Sequence, residues 1–286
     1  MNHRYWIRQV RMTSRPLYDT YIKTIECPGY VGANLNFRCI IHGDRSDMSA
    51  AEAMLFLAFH NRYLDWRGST DRSLTSVHLR NFAEFLESDF DVCCTFDDDA
   101  AFELPMGAPE RIDTFLCKEA AWRHAAPIAE GRPIGAIGPM STSRCTYAYD
   151  GIEGSVGELA GPPWMFYGCQ FYTRAMLETI DWQTILSNLK YWSDFALLME
   201  AHRQGFACVE MDLKGYVHRG AKGRVAKADA WPAAEAIEQV MLENDFLNKW
   251  FAGTEYIDTI NAMHAKLINT RLQPRVDDPK NAKHRG

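Results

Sequence analysis

Three adjacent carboxylates, Asp97, Asp98 and Asp99, follow the apolar run 90–96 (FDVCCTF), and the chain turns apolar again at once with Ala-Ala-Phe-Glu-Leu. Neighbouring carboxylates repel, so folding them together costs free energy unless a cation or hydrogen bonds offset the repulsion. Such hard oxygen ligands suit Mg²⁺ or Mn²⁺, and Mg²⁺ is commonly held by one or two carboxylates together with substrate phosphates. Taken alone, the run serves equally well as a solvated acidic turn. Its place favours chemistry, because the strand formers before it project the cluster from a core rather than from a linker.

Two further positions carry chemistry of a complementary kind. Ser193-Asp194 opens the helical pattern SDFALLMEAHR, where Asp194 can face a pocket and can also stabilise the first helical turn by ~0.3–1 kcal/mol, two compatible readings. His218 lies in the basic segment 214–227 (KGYVHRGAKGRVAK), which reads either as a solvated loop or as an anion-binding loop near a diphosphate. A lone histidine there is a surface residue or a metal ligand.

The elements that must position these residues follow from periodicity. Residues 5–13 alternate apolar with polar or basic residues and end at Ser14-Arg15-Pro16, a strand and turn, with a helix expected over 16–25. Residues 37–42 form a second strand, and a helix is expected over 50–63. After a polar turn at 67–71, Leu74, Val77, Phe82, Phe85 and Leu86 recur at helical spacing before the strand at 90–96. Downstream come a helix over 111–124, a strand at 133–137, a long Gly- and Pro-bearing loop at 141–163 and a strand at 166–172. Helices over 174–180 and 194–204, a strand at 206–212 and two terminal helices, 233–251 and 256–270, complete the reading. The alternation predicts an α/β fold with an open, mostly parallel sheet flanked by helices. In such sheets ligands bind beyond the carboxyl ends of strands, which is where the aspartates lie.

The 286-residue length allows one large α/β domain, and 47% hydrophobic with 24% charged residues excludes a disordered chain. No run approaches the ~18 apolar residues of a membrane span, and the first residues lack a signal-peptide core, so a cytoplasmic protein with no membrane insertion is expected. Eight scattered cysteines without a CxxC pair are expected to be reduced and mostly buried. The net charge of −6 does not favour a polyanionic partner overall.

The set Asp44 with Ser46 and Asp47 (GDRSD), Arg80-Asn81, Phe96 with Asp97-Asp98-Asp99, Ser193-Asp194 with Arg203 and Gly205, and then His218 resembles the GT-A glycosyltransferases, family 2 in particular. The order and approximate spacing match over residues 5–220. Ser193-Asp194 departs from the family's Glu-Asp pair, and Gly43-Asp44 is a sparse version of its nucleotide-binding turn. The resemblance implies a GT-A (Rossmann-like) catalytic domain over 1–230; the helical pattern beyond it gives a C-terminal helical appendage over 231–272, and the polar end is expected to be a disordered tail over 273–286. The resemblance also implies a metal-dependent (Mn²⁺ or Mg²⁺) transfer of a sugar from a nucleotide-sugar donor to an acceptor hydroxyl, with inversion. By the same resemblance Asp97 contacts the donor's ribose or base, Asp98 assists, Asp99 and His218 hold the metal, and Asp194 is the general base.

Ser14, Arg15, Asp44 and Arg80 are further donor-site candidates, and Trp164, Phe166 and Tyr167 are candidates for an apolar platform under an acceptor, with core packing the competing role. The acceptor is left open, a hydroxymethylated DNA base among the choices because the basic segment 214–227 could meet a backbone. A nucleotidyltransferase and an inactive GT-A-like binding module are the competing functions. The first lacks a Gly-rich phosphate loop near the N-terminus, and the second has no need of clustered carboxylates.

Overall fold

A computed structural model describes residues 3–11, 35–42, 64–67, 74–97, 100–102, 119–139, 169–190, 192–211, 216–218 and 233–272. Chain order begins β1 (Tyr5–Arg11), β2 (Leu35–His42), β3 (Leu64–Arg67), α1 (Leu74–Glu87), β4 (Val92–Asp97), β5 (Ala100–Phe102), α2 (Glu119–Ile128) and β6 (Ile134–Pro139). It continues with β7 (Cys169–Thr173), α3 (Arg174–Thr179), α4 (Trp182–Asn188), α5 (Ser193–Arg203), β8 (Ala207–Met211), β9 (Tyr216–His218), α6 (Ala233–Trp250) and α7 (Tyr256–Leu267). The last helix runs into a π-helical turn, Ile268–Leu272.

Seven strands share one sheet in the order β3-β2-β1-β4-β7-β6-β8, and β5 pairs with β9 in a separate ribbon. Neighbours from β3 to β4 are parallel, as are β6 and β8, while β7 runs antiparallel to both β4 and β6. The mostly parallel sheet expected from the alternation is therefore present, with one reversed strand. Val92 to Thr95 of β4 and Cys169 to Tyr172 of β7 are all buried, which is why both strands read as unbroken rather than alternating apolar runs.

Helices cover both faces. On one, the registered row Cys93, Tyr172, Ala136 and Cys208 crosses four strands and packs with Phe82 and Phe85 of α1 and Leu197 and Leu198 of α5. On the other, Trp122 of α2 donates its Nε1 hydrogen to Tyr5 Oη at 2.7 Å, and the Tyr5 ring meets Phe171 edge-on. Leu247 and Phe251 of α6 with Tyr256, Ile260 and Met263 of α7 join the first of these clusters.

A buried carboxylate fastens α6 to α5. Glu200 is 2% exposed and accepts from Arg203 (2.8 and 2.7 Å), Gln204 (2.9 Å) and Trp250 Nε1 of α6 (3.0 Å). Burial pushes this carboxyl up, but the hydrogen bonds from Arg203, Gln204 and Trp250 outweigh it and hold it below its ordinary value. The helix then stops at Gly205, whose φ of 89° lies in the left-handed region that only glycine enters freely. Gly205 N–H donates to His202 O and Phe206 N–H to Ala201 O, the paired bonds of a Schellman ending that turns the chain into β8.

Several short elements differ from the sequence expectation. The strand β3 ends at the first residue of the expected polar turn, α4 and β5 occupy residues given no element, and β9 forms within the basic segment read as a loop. Each is only three to seven residues long and is held by tertiary pairing rather than by its own periodicity. The expected helices at 16–25 and 50–63, the loop at 141–163 and the tail 273–286 lie outside the described residues. Cys93, Cys94, Cys169 and Cys208 are buried thiols outside any disulfide. Among the described residues no helix is long and apolar enough to cross a membrane.

Arg174 joins the two halves of the sheet. Its guanidinium donates to the carbonyls of Phe90 (2.8 Å), Leu86 (3.1 Å), Phe85 (2.9 Å) and Ser88 (2.8 Å), gathering the end of α1 and the turn into β4 around one cation. The cation also lies 4.7 Å from the centre of the Phe85 ring. Arg174→Ala strands these acceptors and should cost roughly 3 kcal/mol in urea unfolding. Arg174→Lys should recover little of it, because a single ammonium cannot fork across four carbonyls.

Candidate active site

The site is built where β4 ends. Asp97 is the last residue of that strand, two positions beyond Thr95. The antiparallel register places Gln170 of β7 opposite Thr95, and Thr95 Oγ1 donates to Gln170 Oε1 at 3.0 Å. Gln170 Nε2 then donates to Asp194 Oδ2 at 3.4 Å. A short polar chain thus links the aspartate-bearing strand to the first turn of α5.

The geometry of α5 bears on both readings of Asp194. Its N-cap is Trp192, which makes no side-chain cap bond, and Asp194 is the second helical residue. The Asp194 carboxylate accepts from Gln170 while standing in the first helical turn, so facing the polar chain and stabilising the helix start are compatible. Its second oxygen, Oδ1, is buried without a hydrogen-bond partner. An acceptor oxygen in that condition is costly for stability and available for a proton.

Two other buried polar atoms near this carboxylate also lack partners, His78 Nδ1 of α1 and Tyr172 Oη of β7. Burial pushes the Asp194 carboxyl above the usual carboxylate range, and His78 opposes that shift. The imidazole, 2% exposed, is held below its ordinary value by burial, with Asp194 acting in the other direction. Burial and then the charge of Asp194 push the Tyr172 phenol well up, so it stays protonated and keeps an O–H to donate. The N-terminal end of α5 adds a partial positive charge that favours an anion there.

The β5–β9 ribbon fixes the register of one predicted residue. His218 is the register partner of Ala100, the residue that directly follows Asp99. Arg80 is exposed on α1. Its neighbour Asn81 is buried instead, accepting from Trp6 Nε1 at 2.9 Å and donating toward Cys93 Sγ at 3.5 Å, so it braces α1 against β1 and β4. Asp98, Asp99, Ser14, Arg15, Asp44, Trp164, Phe166 and Tyr167 lie outside the described residues. Among the described residues no three His, Cys, Asp or Glu side chains are grouped to hold a metal ion.

Sequence reasoning missed Gln170, Thr95, Tyr172 and His78. The signal was present: Gln170 interrupts the run CQFY, and His78 falls one helical turn from both Leu74 and Phe82 on the apolar stripe of α1. A polar residue on a buried stripe needs a partner, and these four share a neighbourhood.

The raised Asp194 carboxyl has a measurable sign. The unfolded chain ionises this group near 3.9, as free aspartate does, whereas the folded chain holds the proton to higher pH, so stability is lost as pH rises through that window. Asp194→Asn removes the loss. The variant should melt above wild type at about pH 8, and the gap should narrow as pH falls toward about 4. A gap independent of pH would mean that the carboxylate ionises without cost.

No protein-family model matches the chain, and no curated protein matches its sequence. Solved structures do match. The mannosyltransferase PcManGT from Pyrobaculum calidifontis, in complex with GDP-Man and Mn²⁺, is 15% identical over 99% of this chain and 74% of its own, with a TM-score of 0.55. Glucosyl-3-phosphoglycerate synthase from Mycobacterium tuberculosis, in complex with phosphoglyceric acid, is 12% identical over 84% of this chain and 79% of its own, with a TM-score of 0.49. TarS of S. aureus is 11% identical over 96% of this chain and 47% of its own, at 0.46. The assignment rests on the first of these and on the mostly parallel sheet between helices: the chain has the GT-A, Rossmann-like fold of the glycosyltransferases.

Proposed function

We propose that this protein is a glycosyltransferase that moves a sugar from a nucleotide-sugar donor to an acceptor hydroxyl, with Asp194 as the general base. The observation that carries the reading is the buried, unpartnered Oδ1 of Asp194, held by Gln170 against the strand that ends in Asp97. A carboxylate raised by burial sits closer to the pH at which a base must work, which is how proteins tune such groups. The GT-A fold adds context, since the mannosyltransferase that shares it binds GDP-Man and Mn²⁺.

Asp97 and Asp98 are assigned to the donor's nucleoside, and Ser14, Arg15, Asp44 and Arg80 to the donor site. Asp99 and His218 are assigned to a divalent cation. Carboxylate and imidazole donors fit Mn²⁺ well and Mg²⁺ acceptably, and the pairing of His218 with the residue after Asp99 supports bringing the two together. When bound, the cation supplies a Lewis acid for the charge that develops on the departing diphosphate. Trp164, Phe166 and Tyr167 are assigned to the acceptor side. Inversion is proposed because a base on the face opposite the leaving group suits in-line displacement.

A screen of UDP- and GDP-sugars, followed by nucleoside diphosphate release with Mn²⁺ and with EDTA, tests the donor class. Binding and release should require the metal, and equal affinity in EDTA would remove the cation from the reading. Asp99→Ala should abolish the metal-linked binding, and His218→Ala should raise the metal concentration needed for half-maximal activity. Asp194→Asn should keep donor affinity while transfer drops by ~10²–10⁴, the usual loss of a general base. Wild-type turnover in Asp194→Asn would sink the mechanism.

A further inference from the structure

The face of the sheet that packs under α1 and α5 carries one polar pair to which sugar transfer itself gives no task. Antiparallel register sets Thr95 of β4 directly opposite Gln170 of β7, so the two side chains leave the sheet on the same side, one step along from the pair Cys93 and Tyr172. Both are 3% exposed. Gln170 stands between Cys169 and Phe171 on an interior strand, where stability alone would select an apolar residue over a carboxamide that must be desolvated. The two bonds of this carboxamide run in opposite directions. Thr95 Oγ1 donates to Gln170 Oε1 at 3.0 Å, which turns the oxygen end of the amide toward β4, while Nε2 donates to Asp194 Oδ2 at 3.4 Å in the first turn of α5. Only this orientation puts a hydrogen in both contacts, because the reversed amide would set its oxygen against an ionised carboxylate, acceptor against acceptor. The threonine hydroxyl therefore decides which end of the amide α5 meets.

We infer that Gln170, oriented by Thr95, is the positioning residue for Asp194: its amide holds Oδ2 and so leaves Oδ1 as the oxygen that takes the acceptor's proton. The inference rests on the reading of Asp194 as base. A carboxylate has two like oxygens, and a single fixed donor is enough to tell them apart. Oδ2 is engaged by Gln170, whereas Oδ1 is buried without a hydrogen-bond partner. In transfer the acceptor's O–H bond breaks as its oxygen bonds to the anomeric carbon, and the anomeric carbon's bond to the diphosphate breaks with its electron pair. The released proton goes to Asp194 Oδ1. Gln170 exchanges no proton and touches no reacting atom, so its whole effect passes through the placement of the carboxylate, and Thr95 acts one bond further back.

Side-chain ¹⁵N–¹H NMR on the full chain reads the contact without any substrate, the Gln170 NH₂ pair being assigned by its loss in Gln170→Leu. Asp194→Asn removes the charged acceptor and should move that pair, as should Thr95→Val, which keeps the branched shape and deletes the hydroxyl. In nucleoside diphosphate release from UDP- and GDP-sugars with Mn²⁺, Gln170→Leu and Thr95→Val should lower kcat by up to ~10²-fold, the cost of misplacing a catalytic group by about 1 Å. Donor KM should stay near wild type, and Thr95→Ser should restore the rate. In the Asp194→Asn background Gln170→Leu should cost nothing further, since a positioning residue has no effect once its carboxylate is gone. Should Gln170→Leu not fold, the kcat of Thr95→Val against Thr95→Ser decides. Gln170 resonances unmoved by Asp194→Asn overturn the inference. So does a lowered melting temperature with wild-type kcat in Gln170→Leu and Thr95→Val beside an inactive Asp194→Asn, a result that leaves the base standing. Wild-type kcat in Asp194→Asn overturns the base, and the positioning role with it.

Discussion

The reversed strand β7 is the constraint on which the site depends. Were it parallel to β4, Gln170 would not meet Thr95 in the observed register and the chain would leave the strand at the opposite end of the sheet. Running antiparallel, it ends beside the start of β4, where Arg174 N–H bonds to Asp91 O. The helices α3 and α4 then carry the chain back to the start of α1, where Thr75 bonds to Leu189 O. From there α5 descends toward β8, so its first turn stands near the carboxyl end of β4. One reversal thus places Asp194 within reach of the polar chain that begins two residues before Asp97.

Held this way, α5 is fastened unequally along its length. Its last turn is closed by the Gly205 ending and by the Glu200 carboxylate, which satisfies Arg203, Gln204 and Trp250 together. Its first turn has no side-chain cap and carries an aspartate with a free oxygen. The arrangement separates two tasks: the C-terminal half of the helix anchors, and the N-terminal half keeps polar capacity for chemistry. Glu243 of α6 extends the support by accepting from Lys190 N–H at 2.8 Å, just before α5 begins. The C-terminal helices therefore brace the helix that bears the carboxylate from both ends.

Much of this was legible in the chain because long periodic segments declare themselves. The buried strands around Cys93 and Phe171, the stripe Phe82, Phe85 and Leu86, and the amphipathic pattern of α5 gave the fold class. Asp97, Asp194 and His218 stood out as residue types with chemistry. The direction of β7 was not legible, since a fully buried strand has the same apolar run whichever way it points. Nor was the company of Asp194, because His78, Thr95 and Gln170 are brought to it from sequence separations that no local pattern spans.

The Arg174 clamp and the strand before it carry a consequence for synthesis on the ribosome. By the time β6 has emerged, the chain has made β1 to β4, but β6 touches that half of the sheet only through β7, which is translated about thirty residues later. Until then β4 has an open edge of unpaired amides, and the end of α1 lacks the cation that gathers its carbonyls. The growing N-terminal half is thus a template awaiting its central strand. Residues 169–174 close the gap between β4 and β6, strands already made, and the sheet is complete only when β8 follows and pairs with β6.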